Sequence, residues 1–260
     1  MLDLLERSLN ELEERLERSS LTELRRIAAF DLDGTLLEGD IGEAVFGFLL
    51  NERLTVGLSW EQYQHMLGVH KSMAYKAVVS SMAGAHKEDI AGATSAVMNC
   101  ESEFIRHGSA RIRVPRPRPI LKKFLALLRQ HRFRILVLSA SNHFSVQQVT
   151  RVWFDIPASD AFGIQSRLVD NRLTTDFISP LPIGPGKAVL LRSQIGESEP
   201  LITGSDSALD LPLLRLTHPY GFSIWVGNDR SDFDVVRANA GSAHRFVFLS
   251  LDGAHESDGY

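Results

Sequence analysis

Asp31 and Asp33 close an apolar run, in Ile27-Ala-Ala-Phe-Asp-Leu-Asp-Gly-Thr-Leu-Leu37. A strand carried through both residues turns their side chains to one side, because strand side chains alternate with period two. That spacing sets a carboxylate nucleophile beside a carboxyl group able to move protons. Gly34 then permits a sharp turn, and Thr35 adds a hydroxyl beside the backbone N–H groups that an anionic substrate needs. Taken alone, an Asp-x-Asp pair more often ends a strand in a solvated acidic turn. Three later motifs change that balance.

Arg134-Ile-Leu-Val-Leu-Ser139-Ala-Ser-Asn-His143 is a second apolar run, ending in a hydroxyl cluster just before a helical pattern. It predicts a buried strand with an anion site at its carboxyl end, where helix N-terminal amides converge. Gly184-Pro-Gly-Lys187 opens a helical stretch from Ala188 to Ile195, and its lysine can be aimed inward as a point charge on phosphate oxygens. Pro200-Leu-Ile-Thr-Gly204-Ser-Asp206-Ser-Ala-Leu-Asp210-Leu-Pro is a third apolar run ending in carboxylates, and a helix starting there would put Asp206 and Asp210 on one face. Each has a plainer role: Ser139 and Asp206 as helix caps, Asp210 in a first turn, Lys187 as a solvated charge.

In this order the four segments resemble the haloacid dehalogenase superfamily, and within it the branch that includes phosphoserine phosphatase. The similarity runs from about Ile27 to Val226 and is strongest at Asp31-Leu-Asp-Gly-Thr35 and Asp206-Ser-Ala-Leu-Asp210-Leu-Pro. The resemblance implies that Asp31 attacks phosphorus and Asp33 serves as general acid and base. It implies that Thr35, Ser139, Ala140 and Lys187 hold the phosphoryl group, that Asp210 supports the site, and that Mg2+ is bound by Asp31, Asp206 and the backbone carbonyl of Asp33. Relatives that break carbon–halogen bonds lack the second aspartate, so Asp33 argues for phosphoryl chemistry. In phosphoserine phosphatases a glutamate nine residues after the nucleophile meets the substrate amine; Asp40 holds that position here, one methylene shorter. The implied substrate is phosphoserine or another phosphorylated amine, with Arg53 a candidate for gripping a carboxylate.

Unaided hydrolysis of phosphate monoesters is slow enough that enzymes supply rate factors up to ~10^21. An aspartyl-phosphate splits one hard step into two easier ones. Attack of a carboxylate on an anion is repulsive, so a hard cation, Lys187 and backbone amides must neutralise charge on the transferring group.

The elements that position these groups follow from pattern. Strands alternating with helices to about residue 240 imply an α/β fold: a three-layer, Rossmann-like core with a parallel sheet, and active groups at the carboxyl ends of its strands. About a hundred residues separate the first and second motifs, far more than one crossover helix needs. Helices are predicted at Glu43 to Asn51, Trp60 to Leu67, Lys71 to Met82 and Lys87 to Arg106, a helical cap inserted after the first strand. Such a cap can close over a site and exclude water. Ser109 to Pro119 reads as a stiff, extended linker whose Arg111, Arg113, Arg116 and Arg118 either draw in an anion or form a solvated hinge. Domain bounds are accordingly 1–24 for an amphipathic N-terminal helix, 25–38 and 117–250 for the catalytic core, 39–116 for the cap and 251–260 for a loose tail. In the N-terminal helix Leu2, Leu5, Leu9, Leu12 and Leu16 form a stripe on a helix that lies on the body of the protein, frays in solution or joins two copies as a homodimer.

The chain has 260 residues, 44% of them hydrophobic, and a net charge of -4 with both signs dispersed, so no overall basic field recruits nucleic acid. One cysteine, Cys100, makes no internal disulfide and is expected as a small buried hydrophobe. The N-terminus is acidic where a signal peptide is basic, and no run reaches the ~18 apolar residues of a membrane span, so the expected location is cytoplasmic and the expected partner a small phosphorylated metabolite. His65 and His70, five apart, fit one helical face poorly and read as surface residues. Besides a phosphatase, two other classes fit the motifs: a phosphotransferase passing the group to an acceptor alcohol, and a non-catalytic binding protein on the same fold.

Overall fold

In a computed structural model, which describes residues 1–19, 24–241, 244–251 and 255–257, the chain opens with helix α1 (Leu2–Arg18). Strand β1 (Ile27–Phe30) is apolar and buried throughout, and the chain then turns through Leu32–Leu36. After β2 (Leu37–Glu38) come helices α2 (Ile41–Asn51), α3 (Trp60–Val69), α4 (Lys71–Ser81) and α5 (Lys87–Met98). Ser59 and Gln62 form a capping box at the start of α3, which satisfies two of the N–H groups a helix leaves open. Short strands β3 (Phe104–His107), β4 (Ala110–Arg113) and β5 (Arg116–Pro117) follow. Helix α6 (Pro119–Gln130) begins on a proline, whose missing N–H costs nothing at that position. Next are β6 (Arg134–Asn142), α7 (His143–Phe154), β7 (Ala161–Ile164), β8 (Ser166–Val169) and β9 (Arg172–Phe177). The chain continues through α8 (Pro185–Ile195), β10 (Ile202–Ser205), α9 (Leu211–Leu214), β11 (Phe222–Gly227), α10 (Arg230–Ala240), β12 (Arg245–Ser250) and β13 (His255–Ser257). Among the described residues no helix is long and apolar enough to cross a membrane.

These elements form two units, one of Met1–Leu36, Arg118–Val137 and Gly184–Tyr260, the other of Leu37–Pro117 and Leu138–Ile183. The second unit therefore takes in residues 138–183 as well as the expected insert at 39–116.

In the first unit β1 lies between β10 and β6 and is parallel to both; β10 pairs parallel with β11, and β11 with β12. A strand buried on both faces reads as an unbroken apolar run, which is why Ile27 to Phe30 shows no alternation. Within the stretch expected as a loose tail, β13 pairs antiparallel with β12, and 252–254 and 258–260 lie outside the described residues. Helix α6 buries Leu121, Phe124, Leu125 and Leu128 and packs against α1. Leu4, Leu5, Leu9, Leu12 and Leu16 of α1 are buried within the chain itself, whereas Leu2 is only partly covered. Arg245 donates to Glu11 and to Ser8, and Glu13 accepts from Arg26, so the polar flank of α1 is tied down as well. The helix expected at 1–24 ends at Arg18, and 20–23 lie outside the described residues.

The second unit holds helices α2 to α5 and α7 and three antiparallel strand pairs, β2 with β5, β3 with β4, and β8 with β9. The rings of Phe46, Trp60 and Tyr63, on α2 and α3, lie with their centroids within 6.1 Å of one another, Phe46 stacked on Trp60 and edge-on to Tyr63. Strand β6 runs on from the first unit into this one, where β7 is its sheet neighbour. Two expectations need correction here. The fourth helix stops at Met98 rather than Arg106, and Phe104 to Arg113 is a hairpin folded about Gly108, whose φ of +56° suits glycine. The supposed linker is thus largely strand, and its arginines are engaged: Arg111 lies over the Phe104 ring, Arg113 pairs with Glu38 at 2.6 Å and Arg116 donates to the carbonyls of Pro115 and Cys100. Cys100 is half-buried rather than buried.

Candidate active site

Strand β1 ends at Phe30, one residue short of the first aspartate, so the alternation argument for Asp31 and Asp33 does not hold as stated. Asp31 still donates its N–H to the carbonyl of Gly204 at 2.9 Å, extending the ladder by one bond. Asp33 then has φ -75° and ψ 130° and Gly34 has φ +76°, so the two aspartates are related by a glycine-dependent turn and not by a strand. Asp33 is partly exposed, whereas Asp31 is 6% exposed.

Lys187, in the first turn of α8 and 4% exposed, donates from Nζ to Asp31 Oδ1 at 2.6 Å and to Asp210 Oδ2 at 2.7 Å. Asp210 is 2% exposed and also accepts from the Ser205 hydroxyl at 2.8 Å. Thr35 donates to Asp206 Oδ1 at 2.9 Å and lies 3.5 Å from Asp31 Oδ2. Asp206 follows the end of β10, and a single 3-10 turn from Ala208 to Asp210 carries the chain from one carboxylate to the other, so the pair converges without sharing a face of one helix. The structure therefore brings Asp31, Thr35, Lys187, Asp206 and Asp210 together inside the first unit. Ser205 was not singled out from sequence; a hydroxyl before an aspartate carries little signal.

The electrostatics are those of a site short of positive charge. Burial pushes the Asp31 carboxyl well above the usual range; Lys187 works against that, while Asp210 and Asp206 add to it. Burial also raises Asp206, with the Thr35 hydrogen bond opposing. For Lys187, burial alone would lower the ammonium, but the carboxylates of Asp210 and Asp31 outweigh it and hold it above its ordinary value. Three carboxylates around one ammonium leave an uncompensated buried charge that a divalent cation would offset. Among the described residues no three His, Cys, Asp or Glu side chains form a cation cage on their own. Two carboxylates completed by backbone oxygen and water is nevertheless the kind of donor set that suits Mg2+, which keeps several waters and takes one or two protein carboxylates.

Ser139, Ala140 and Asp40 belong to the second unit. Ser139 is fully buried in β6, and its Oγ accepts from the N–H of Ser141 at 2.9 Å. Asp40 caps α2, its carboxylate accepting from the N–H of Glu43 at 2.8 Å. It also lines a small cavity with Glu43, Tyr63, Tyr75 and Ala140. Tyr63 donates its hydroxyl to Glu43 Oε1 at 2.7 Å, and burial, then Asp40 and Glu43, push that phenol upward so that it stays a neutral donor. Glu43 and Tyr63 escaped the sequence reading because each sits in a helical pattern that packing alone explains. Arg53, His65 and His70 are exposed.

A family model described as haloacid dehalogenase-like hydrolase matches residues 28–215. The chain belongs to that family. Solved structures that share the fold of this haloacid dehalogenase-like hydrolase include a protein of unknown function from Bordetella pertussis Tohama I, 19% identical with a TM-score of 0.64, the match covering 83% of this chain and 96% of that one. A HAD family hydrolase from Salmonella enterica subsp. enterica serovar Typhi is 18% identical with a TM-score of 0.55, over 90% and 70% of the two chains. A phospho-aspartyl intermediate analogue of phosphoserine phosphatase is 14% identical with a TM-score of 0.53, over 84% and 92%. No curated protein matches the chain. At these identities the likeness is one of fold, and the hydrolase family generally uses Mg2+.

Proposed function

We propose that this haloacid dehalogenase-like hydrolase is a magnesium-dependent phosphatase acting on a small phosphomonoester through an aspartyl-phosphate at Asp31. The observation that supports it most is the buried contact of Asp31 with Lys187, 156 residues apart and 2.6 Å between charged atoms. Lys187 is itself anchored by Asp210, which also accepts from Ser205, so its charge stays fixed beside the nucleophile and is not lost to burial. Preorganised charge of this kind acts where negative charge collects on a transferring group.

In the first step a carboxylate oxygen of Asp31 bonds to phosphorus while the bond from phosphorus to the ester oxygen breaks, and Asp33 gives that oxygen a proton. In the second step Asp33 takes a proton from water, the water oxygen bonds to phosphorus, and the bond to Asp31 breaks, releasing phosphate. Lys187 steadies Asp31 throughout. Asp31, Asp206 and the carbonyl of Asp33 would hold Mg2+, which when bound supplies Lewis-acid neutralisation of the phosphoryl oxygens. Ser139 and Ala140 are assigned to the phosphoryl group by the family resemblance.

The substrate class rests on the second unit's cavity. Two carboxylates and two tyrosines suit an ammonium group, which gains from both charge and ring faces. That lining favours a small phosphorylated amine or amino acid such as phosphoserine.

Hydrolysis of p-nitrophenyl phosphate and of phosphoserine, with Mg2+ and with EDTA, tests the reading. Activity should require Mg2+ and vanish in Asp31→Asn while that variant keeps its fold. Full magnesium-dependent activity in Asp31→Asn would overturn the nucleophile assignment.

A further inference from the structure

The turn from Leu32 to Leu36 is not a regular helix, because Asp33 and Gly34 leave helical geometry. Its carbonyls need donors from elsewhere, since unpaired buried backbone groups are costly. One residue supplies them. Arg118 Nε donates to Thr35 O at 3.1 Å, Nη2 donates to Gly34 O at 3.1 Å, and the Arg118 backbone N–H donates to Leu36 O at 2.9 Å. Three successive carbonyls of the turn are thus gripped by a single arginine more than eighty residues away.

We propose that Arg118 is a positioning residue that holds the turn carrying Asp33 and Thr35 in its working geometry. The mounting suits the task. Pro117 and Pro119 flank Arg118 and fix the backbone around it, and α6, which begins at Pro119, is rooted by four buried apolar side chains. The chain leaves the first unit after Leu36 and re-enters it at Arg118, so the clamp joins the two crossing points on the first unit's side. What it grips matters for the site: Thr35, held by its carbonyl, directs its hydroxyl to Asp206, and Asp33 lies two residues upstream. A planar guanidinium reaches two carbonyls in a fixed fork, whereas a lysine ammonium on a flexible stem does not reproduce that geometry. Arg118 acts through Asp33 and Thr35.

The inference rests on the phosphatase reading for its catalytic consequence, and the test separates the two. Wild type, Arg118→Ala, Arg118→Lys, Asp33→Asn and the Arg118→Ala/Asp33→Asn double variant are compared on p-nitrophenyl phosphate and on an alkyl monoester, glycerol phosphate. Backbone amide exchange is followed at Gly34 to Leu37. A misplaced acid should cost Arg118→Ala ~10- to 100-fold in kcat on the alkyl ester, whose leaving group needs a proton, and several-fold less on p-nitrophenyl phosphate. Arg118→Lys should recover only part of this, and the loss should shrink in the Asp33→Asn background because the two residues act as a unit. Exchange should rise within 34–37 and stay unchanged elsewhere. Equal losses on both esters that simply track a lower denaturation midpoint, or full additivity with Asp33→Asn, would overturn the positioning role. If wild type hydrolyses neither ester, the phosphatase reading fails, and the clamp is decided by exchange: unaltered protection at 34–37 in Arg118→Ala overturns it.

Discussion

Oδ2 of Asp206 lies 2.1 Å from the point where a Cβ on Gly34 would stand. Gly34 also has φ +76°, a region that side-chain-bearing residues enter at a cost. Two separate requirements, backbone and space, therefore meet at one glycine, and both serve the approach of the late carboxylate to the nucleophile turn.

Gly34→Ala should fail on each count. A methyl group there must push Asp206 away from Thr35 or pull the turn out of its left-handed geometry. The expected stability loss is roughly 1–3 kcal/mol, read from urea denaturation. The loss in kcat should be larger in proportion, about 100-fold or more, because displacing Asp206 and Thr35 misplaces groups at the reacting centre. A variant that keeps wild-type kcat would show that the close contact of Gly34 and Asp206 is dispensable.

The nucleophile motif was legible because a buried strand must be apolar throughout and must stop where a carboxylate begins. Ile27 to Phe30 carries that mark, and β10 ends at Ser205 just before Asp206, whereas β6 runs on past Ser139 to Asn142 and ends in a hydroxyl cluster. What alternation misjudged was the step from Asp31 to Asp33, which a turn controls; Gly34 was the local signal. The Phe104 to Arg113 hairpin was missed because Arg111, Arg113 and the prolines after them suggest a linker by composition. The pairing of Ile105 with Ile112, with Gly108 between, is a two-stranded pattern too short to stand out. Arg118 was read as one of four similar charges, and nothing in composition says which arginine meets backbone carbonyls 83 and 84 residues away.

Asp40 offers a way to part helix capping from substrate recognition. Asparagine caps a helix about as well as aspartate, so Asp40→Asn should leave stability within about 0.5 kcal/mol of wild type, while Asp40→Ala should cost about 1 kcal/mol. Asparagine carries no charge, however. A charge-assisted hydrogen bond is worth ~1.5–3 kcal/mol, so Asp40→Asn should raise KM for a phosphorylated amine roughly tenfold or more. Its KM for p-nitrophenyl phosphate should not move. Equal KM values for phosphoserine in wild type and Asp40→Asn would reduce Asp40 to a cap.

Away from the site, His244 contributes to the acid sensitivity of the fold. Thr203, Thr217 and Ser223 share hydrogen bonds of 2.7–3.0 Å beneath β10 and β11, and His244 Nε2 joins them through Ser223 Oγ at 2.8 Å. The Nδ1 of His244 is buried without a hydrogen-bond partner, and burial lowers the imidazole from 6.5 to about 4. Because the folded value is the lower one, the unfolded chain takes up a proton between pH 6.5 and 4 that the folded chain refuses. Stability from this residue is therefore whole above pH 6.5 and is lost as pH falls toward 4. At about 1.36 kcal/mol per unit, the loss from this one group approaches roughly 3 kcal/mol. His244→Gln keeps a polar partner for Ser223 and removes the titration, so the fall in unfolding free energy between pH 7 and pH 5, measured by urea denaturation, should be shallower in the variant. Parallel curves for the two proteins across that range would place the acid sensitivity elsewhere.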